Sequence, residues 1–121
     1  MALRQSTFKN IEDELRDYHA TVQHIRANRQ ALLHGESDGR AVTALASNRA
    51  LAEMENVTQA IEYVVSLLPD ERKRMLHLRY WMRPQVLTWD GIAMKCNANR
   101  STVIRWRNEI VAAVAERLGR R

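Results

Sequence analysis

Residues 88–110 read TWDGIAMKCNANRSTVIRWRNEI, and the polar tripeptide in the middle decides how the C-terminal half folds. Thr88 to Cys96 has the pattern of one short helix, with Thr88 as its cap. Arg100 onward has the pattern of a second. Asn97 stands where the chain must reverse, and asparagine tolerates a positive φ better than most residues. Asn99 suits the N-cap of the second helix. Ala93 is small where the two helices must cross closely, and Ile92 and Cys96 are placed to pack on Val103 and Trp106. The spacing predicts a helix-turn-helix.

A wheel of the second helix separates two faces. Val103, Trp106, Ile110, Val114 and Leu118 form the expected core side. Ser101, Ile104, Arg105 and Asn108 point away, with Thr102 at the border, and these five are the expected base-reading set. Arg105 can donate two bonds to a guanine edge, Asn108 can pair with an adenine edge, and Ile104 can touch a thymine methyl. Lys95, Asn99, Arg100 and Arg107 are expected at phosphates, which position a protein on DNA without reading sequence. The N-terminus of this helix adds backbone donors for an anion.

Working outward, Leu68-Pro69-Asp70-Glu71 marks a helix start, because proline fits the first turn and acidic residues favour that end. The third helix is expected to run to about Met82 with Leu76 and Tyr80 inward, ended by Arg83-Pro84, with Gln85 to Leu87 as loop. Further upstream, Phe8, Ile11, Leu15, Tyr18, Val22, Ile25 and Leu32 recur at heptad spacing. This stripe predicts one helix over residues 6–34, capped by Ser6 and stopped by Gly35. About 29 residues at 1.5 Å each give roughly 43 Å, more than a compact domain buries without a partner. After the connection His34 to Arg40, Ala41 to Leu68 is helical again. Its stripe is Leu51, Met54, Thr58, Ile61, Val65 and Leu68, widened by Ala50, Val57 and Val64. The expected fold is all-α: two long amphipathic helices over 1–68, as a hairpin or coiled coil for oligomerisation or partner binding, then a helix-turn-helix domain over 69–121.

Charge follows the same division. Residues 1–68 carry seven Lys/Arg against nine Asp/Glu, and residues 69–121 carry twelve against five, for a net charge of +5. A basic half joined to a mildly acidic one suggests a polyanion partner for the basic half. With Cys96 the one cysteine, no internal disulfide forms, and a reduced, cytoplasmic setting is expected. No apolar run resembles a signal peptide or a membrane span, so no membrane partner is expected. His19, His24, His34, His77 and Cys96 do not fall at metal-ligand spacing, so no metal or other cofactor is expected. With no nucleophile elbow, phosphate loop or catalytic dyad, no enzyme is expected. Glu12, Asp13, Glu14 and Asp17 read as a solvated face, Cys96 as a small core residue, and Trp81, Trp89 and Trp106 as buried side chains rather than base-stacking platforms.

The segment SLLPDERKRMLHLRYW (66–81) followed by TWDGIAMKCNANRSTVIRW (88–106) resembles region four of bacterial sigma factors. More closely, it resembles the phage-encoded regulators of the RinA/ArpU type. The features are Leu68-Pro69, Leu76-His77-Leu78-Arg79-Tyr80, Trp89 before Ile92-Ala93, and Ser101-Thr102-Val103 with Arg105-Trp106-Arg107. IEDELRDYHATVQHIRANRQ (11–30) is also similar to that family. Gly91 departs from the usual acidic residue, at a cost of about 1 kcal/mol of helix propensity relative to alanine. Cys96 stands for the usual leucine and Asn99 for the usual serine cap. There is no counterpart of the sigma region that melts promoters, so a complete sigma factor is not expected.

The resemblance implies activation of late or lytic phage genes inside a bacterial host. Together with the basic half and the wheel, it yields the leading expectation: a sequence-specific, double-stranded DNA-binding transcriptional regulator. A homo-oligomer is expected, a dimer favoured, with RNA polymerase as a further partner. Two alternatives stand beside it. One is a phage small terminase subunit that recognises DNA as a ring. The other is a sigma-like protein-interaction module that acts on RNA polymerase and binds DNA weakly or not at all.

Overall fold

The computed structural model describes the backbone of residues 3–33 and 41–121, and the side chains of these except residues 32–33 and 41–47. Among the described residues the chain is all-helical. The elements are α1 (Gln5–Arg16), α2 (Tyr18–Leu33), α3 (Ala41–Ser66), α4 (Asp70–Leu76), a π-helical turn (His77–Trp81), α5 (Trp89–Lys95) and α6 (Arg100–Leu118). The Leu32 step of the N-terminal stripe, the connection His34–Arg40 and its Gly35 stop lie outside what is described.

The N-terminal stripe does not form one unbroken helix. α1 ends at Asp17, whose φ of −92° and ψ of 4° leave the helical region. The cause lies in the C-terminal half. The Trp81 indole Nε1–H donates to the Leu15 carbonyl at 2.8 Å, and an Arg83 guanidinium N–H reaches the Arg16 carbonyl at 3.5 Å. A side chain that takes a carbonyl from the i→i−4 ladder is an established cause of a helix break. The break lets one heptad stripe serve two partners. Phe8, Ile11 and Leu15 pack on the core, where α1 meets α6 and the π turn, whereas α2 lies against α3. Tyr18 donates to Glu62 and Arg29 pairs with Glu55, so α2 and α3 run antiparallel. Ser6 is not the cap either. It sits inside α1, and Arg4 holds the N-cap position without a side-chain bond.

α3 turns Leu51, Thr58, Ile61 and Val64 inward, but Ala50, expected to widen that stripe, is exposed. Pro69 occupies the N-cap of α4 in extended conformation, ahead of Asp70 and Glu71. The third helix buries Leu76 and Tyr80 as its pattern predicts, but not as a regular α-helix. Its last turn widens, and the Met82 N–H bonds to the His77 carbonyl at 2.8 Å. That one-residue expansion brings Leu78 to the core beside Leu76 and Tyr80. Side chains then take up the carbonyls that the wide turn leaves over. Gln85 donates to those of Leu78 and Arg79, and Arg83 donates to that of Tyr80 at 2.7 Å.

The core does not divide at Pro69. Ile11 and Leu15 of α1, with Ile61 and Val64 of α3, join one cluster with Met75, Tyr80, Ile92, Val103, Ile110 and Val114. Each such side chain, fully buried, contributes about 1.5–3 kcal/mol of transfer free energy. The N-terminal residues therefore supply part of the interior on which α5 and α6 rest.

Candidate functional site

α5 and α6 meet through a turn built from one hydrogen-bonding scheme. Thr88 caps α5, its hydroxyl accepting from the Gly91 N–H at 3.2 Å. At the other end Asn97 adopts φ 53°. The Asn97 N–H then bonds to the Met94 carbonyl at 3.2 Å, and the Ala98 N–H to the Ala93 carbonyl at 3.0 Å. These are the two bonds of a Schellman motif, which needs a left-handed residue where Asn97 stands. Ala98 packs against the core and Ala93 is buried, so the turn is closed on its inner side. Asn99 sits at the N-cap of α6 in extended conformation, as its type predicts. Its side chain, however, makes no capping bond.

The two faces of α6 separate as the wheel predicts, with additions. Val103, Ile110 and Val114 are fully buried, and so are Val111 and Ala115, which the wheel did not assign to the core. Trp106 and Leu118 pack on the edge of the cluster. Ser101, Arg105 and Asn108 are exposed at spacings of four and three, hence on one stripe, and Ile104 is half-buried beside them. Thr102 is half-buried too and faces a hollow formed by Glu71, Asn97, Asn99 and Trp106. Lys95, Asn99 and Arg100 are exposed around the turn.

The arginines sort sharply by environment. The Arg105 side chain is 65% exposed and lies 3.8 Å from Glu109, and that of Arg100 is 61% exposed and 3.9 Å from Asp90. Exposed pairs at such distances contribute about 0–1 kcal/mol and exchange readily for another anion. Arg107 contradicts its expected phosphate role. Its side chain is only 16% exposed, and Nη1 donates at 2.9 Å to a Glu12 carboxylate that is itself 17% exposed. The guanidinium lies 5.0 Å from the ring centres of both Phe8 and Trp89. It is held inside the protein and is not available to a backbone phosphate. The reason is Glu12, which the acidic run placed on a solvated face. Its Oε2 also accepts from the Tyr80 hydroxyl at 2.6 Å. Burial first, and then that hydrogen bond, push the Tyr80 phenol well above its ordinary value. Glu14 also leaves the solvated face, taking two bonds from Arg120 at 2.9 and 3.0 Å.

The tryptophans are half-buried at the edge of the core rather than buried as expected. Trp89 stands between Arg79, at 4.7 Å, and Arg107. Trp106 lies under Arg72 at 5.5 Å. Cys96 is buried, and burial pushes its thiol upward. Two residues of α4 join the site without having been singled out in the sequence. Arg74, exposed, reaches the Lys95 carbonyl at 3.4 Å, and Arg72 bridges to Glu109 of α6 at 2.7 Å. The basic run Arg72-Lys73-Arg74 was their one signal, and only the packing of α4 beside the turn gives it meaning.

The fold and this site define a small helical protein in which, among the described residues, no helix is long and apolar enough to cross a membrane. Over residues 2–116 the chain matches the family described as "Protein of unknown function (DUF722)", and it belongs to that family. No curated protein and no solved structure matches it.

Proposed function

We propose that this protein is a sequence-specific, double-stranded DNA-binding transcriptional regulator in which α5, the Asn97 turn and α6 act as a helix-turn-helix. The observation that carries the reading is the exposed stripe Ser101–Arg105–Asn108 on a helix whose opposite face is fully buried. A helix held in this way can enter a major groove and present side chains to base edges. Lys95, Arg100 and Arg74 surround the turn and suit phosphates on either side of the groove. The RinA/ArpU-like pattern of residues 66–106 extends the reading to a phage or prophage late-gene activator in the bacterial cytoplasm. In the same reading α2 and α3 form a helical hairpin that pairs two copies, and RNA polymerase is a further partner.

The test is selection of duplexes from a random pool, followed by binding of the selected site. Arg105→Ala and Asn108→Ala should each lower affinity by about 1–3 kcal/mol and relax preference at separate base positions. With three phosphates neutralised per protomer, and so six per dimer, log affinity should fall against log salt with a slope of about −5. A flat salt response, or two alanine variants indistinguishable from the parent protein, would overturn the reading. Light scattering tests the assembly: a dimer supports the regulator, and a large ring supports DNA packaging instead.

A further inference from the structure

Arg107 is withdrawn from the surface, yet it touches the exposed stripe at one atom. Its Nε–H donates to the Asn108 side chain at 2.7 Å. A guanidinium nitrogen only donates, so the Asn108 atom facing it is the carbonyl oxygen Oδ1. The amide Nδ2 therefore lies on the other branch of the carboxamide, and it has no partner among the described residues. The guanidinium cannot easily swing away. Glu12 holds Nη1 at 2.9 Å, and Phe8 and Trp89 flank the plane. Glu12 is fixed in turn by the Tyr80 hydroxyl at 2.6 Å. A chain of contacts thus runs from α1 through the interior to one side chain on the outer stripe of α6.

We propose that the Glu12–Arg107 pair orients Asn108 so that it meets DNA as a donor and favours guanine over adenine at its position. The inference rests on the DNA-binding reading above and names what one residue of that site recognises. Adenine presents N7 as an acceptor and N6–H as a donor, so an asparagine pairs with it bidentately only by offering Oδ1 as well as Nδ2. Arg107 takes one of the two Oδ1 lone pairs and holds that oxygen turned towards itself, so Oδ1 is not offered to a base edge alongside Nδ2. Guanine presents two acceptors, N7 and O6, which an outward Nδ2 amide satisfies without Oδ1. Arg107 and Glu12 are positioning residues here, since neither reaches the duplex. This differs from the adenine pairing that residue type alone suggests for Asn108.

The experiment is duplex selection with the full chain and four variants. Asn108→Ala identifies the base pair that Asn108 faces, as the position where preference disappears. At that position the parent protein should prefer guanine to adenine by about fivefold or more, the lower end of a good base contact. Arg107→Met keeps the apolar stem of the side chain but frees Oδ1, and it should move the preference towards adenine. Glu12→Ala, remote from the stripe on α1, releases the guanidinium and should shift the same position in the same direction. Glu12→Gln retains an acceptor for Arg107 and should keep the guanine preference. A merely structural role would lower the melting temperature and weaken all sequences alike, leaving the base ratio unmoved. If Arg107→Met does not fold, the two Glu12 variants still decide. An adenine preference in the parent protein overturns the inference, as does a guanine preference unchanged in Arg107→Met and Glu12→Ala. Either result leaves the DNA-binding reading standing. If the parent protein retains no duplex at low salt, that reading falls and the inference with it.

Discussion

Arg105 and Arg107 are two residues apart in the sequence and opposite in physical role. Helical periodicity placed Arg105 correctly on the outer stripe. It could not place Arg107, because the partner that draws this side chain inward is Glu12, 95 positions away. Breaking the pair should therefore cost stability rather than only affinity. Arg107→Ala leaves Glu12 partly buried with Tyr80 as its remaining partner, and should destabilise the fold by about 2–3 kcal/mol in chemical denaturation, somewhat below the range for a fully buried pair. Asn97 is the contrasting case, where local chemistry sufficed. The left-handed residue of a Schellman turn is glycine or asparagine for steric reasons that a single sequence displays. Asn97→Gly should leave the melting temperature nearly unchanged, whereas Asn97→Val should cost about 1–2 kcal/mol, because a β-branched side chain opposes positive φ.

Among the elements, α5 and α6 were legible because each carries its own start and stop. Thr88 is a true cap, and Thr88→Ala should cost about 1 kcal/mol. α6 ends at Gly119 with φ 69°, and the Arg120 N–H bonds back to the Ala115 carbonyl at 2.8 Å, so Gly119→Ala should cost about 1 kcal/mol in a thermal melt. The break at Asp17 and the widened turn at His77–Trp81 were not legible. At both, side chains hold the freed backbone carbonyls: Trp81 that of Leu15, and Arg83 and Gln85 those of the wide turn. No local propensity marks such bonds. Alkali should weaken both N-terminal junctions. Burial and the bond to Glu62 push the Tyr18 phenol up to about 12, and Tyr80 is raised by burial and Glu12. A raised phenol pKa means that the folded state keeps a proton the unfolded chain releases near pH 10. The contribution is complete below pH 10 and declines as pH rises towards 12. Denaturant midpoints measured at pH 9 and pH 11.5 should differ more for the parent protein than for Tyr18→Phe with Tyr80→Phe.

For the whole molecule, composition and charge divide the chain near Pro69, while the interior joins it. The basic segment 69–121 supplies the candidate surface, but Ile11 and Leu15 fill the space beneath it. Expressed alone, residues 69–121 should lack a cooperative thermal transition and show poorly dispersed amide resonances. Well-dispersed resonances and a sharp melt would mean that α1 is dispensable. Pattern reading tends to miss such sharing, since a heptad stripe records that a face is apolar and not which element covers it. The break between α1 and α2 at Asp17 also has a practical consequence. Its indole plug, Trp81, sits 5.1 Å from the His19 ring and 5.9 Å from that of Tyr18. A chain left with this one tryptophan, Trp89 and Trp106 replaced by phenylalanine, would carry a built-in fluorophore at the joint. Its emission would follow the angle between the two arms as DNA or a second copy is added, with no dye attached.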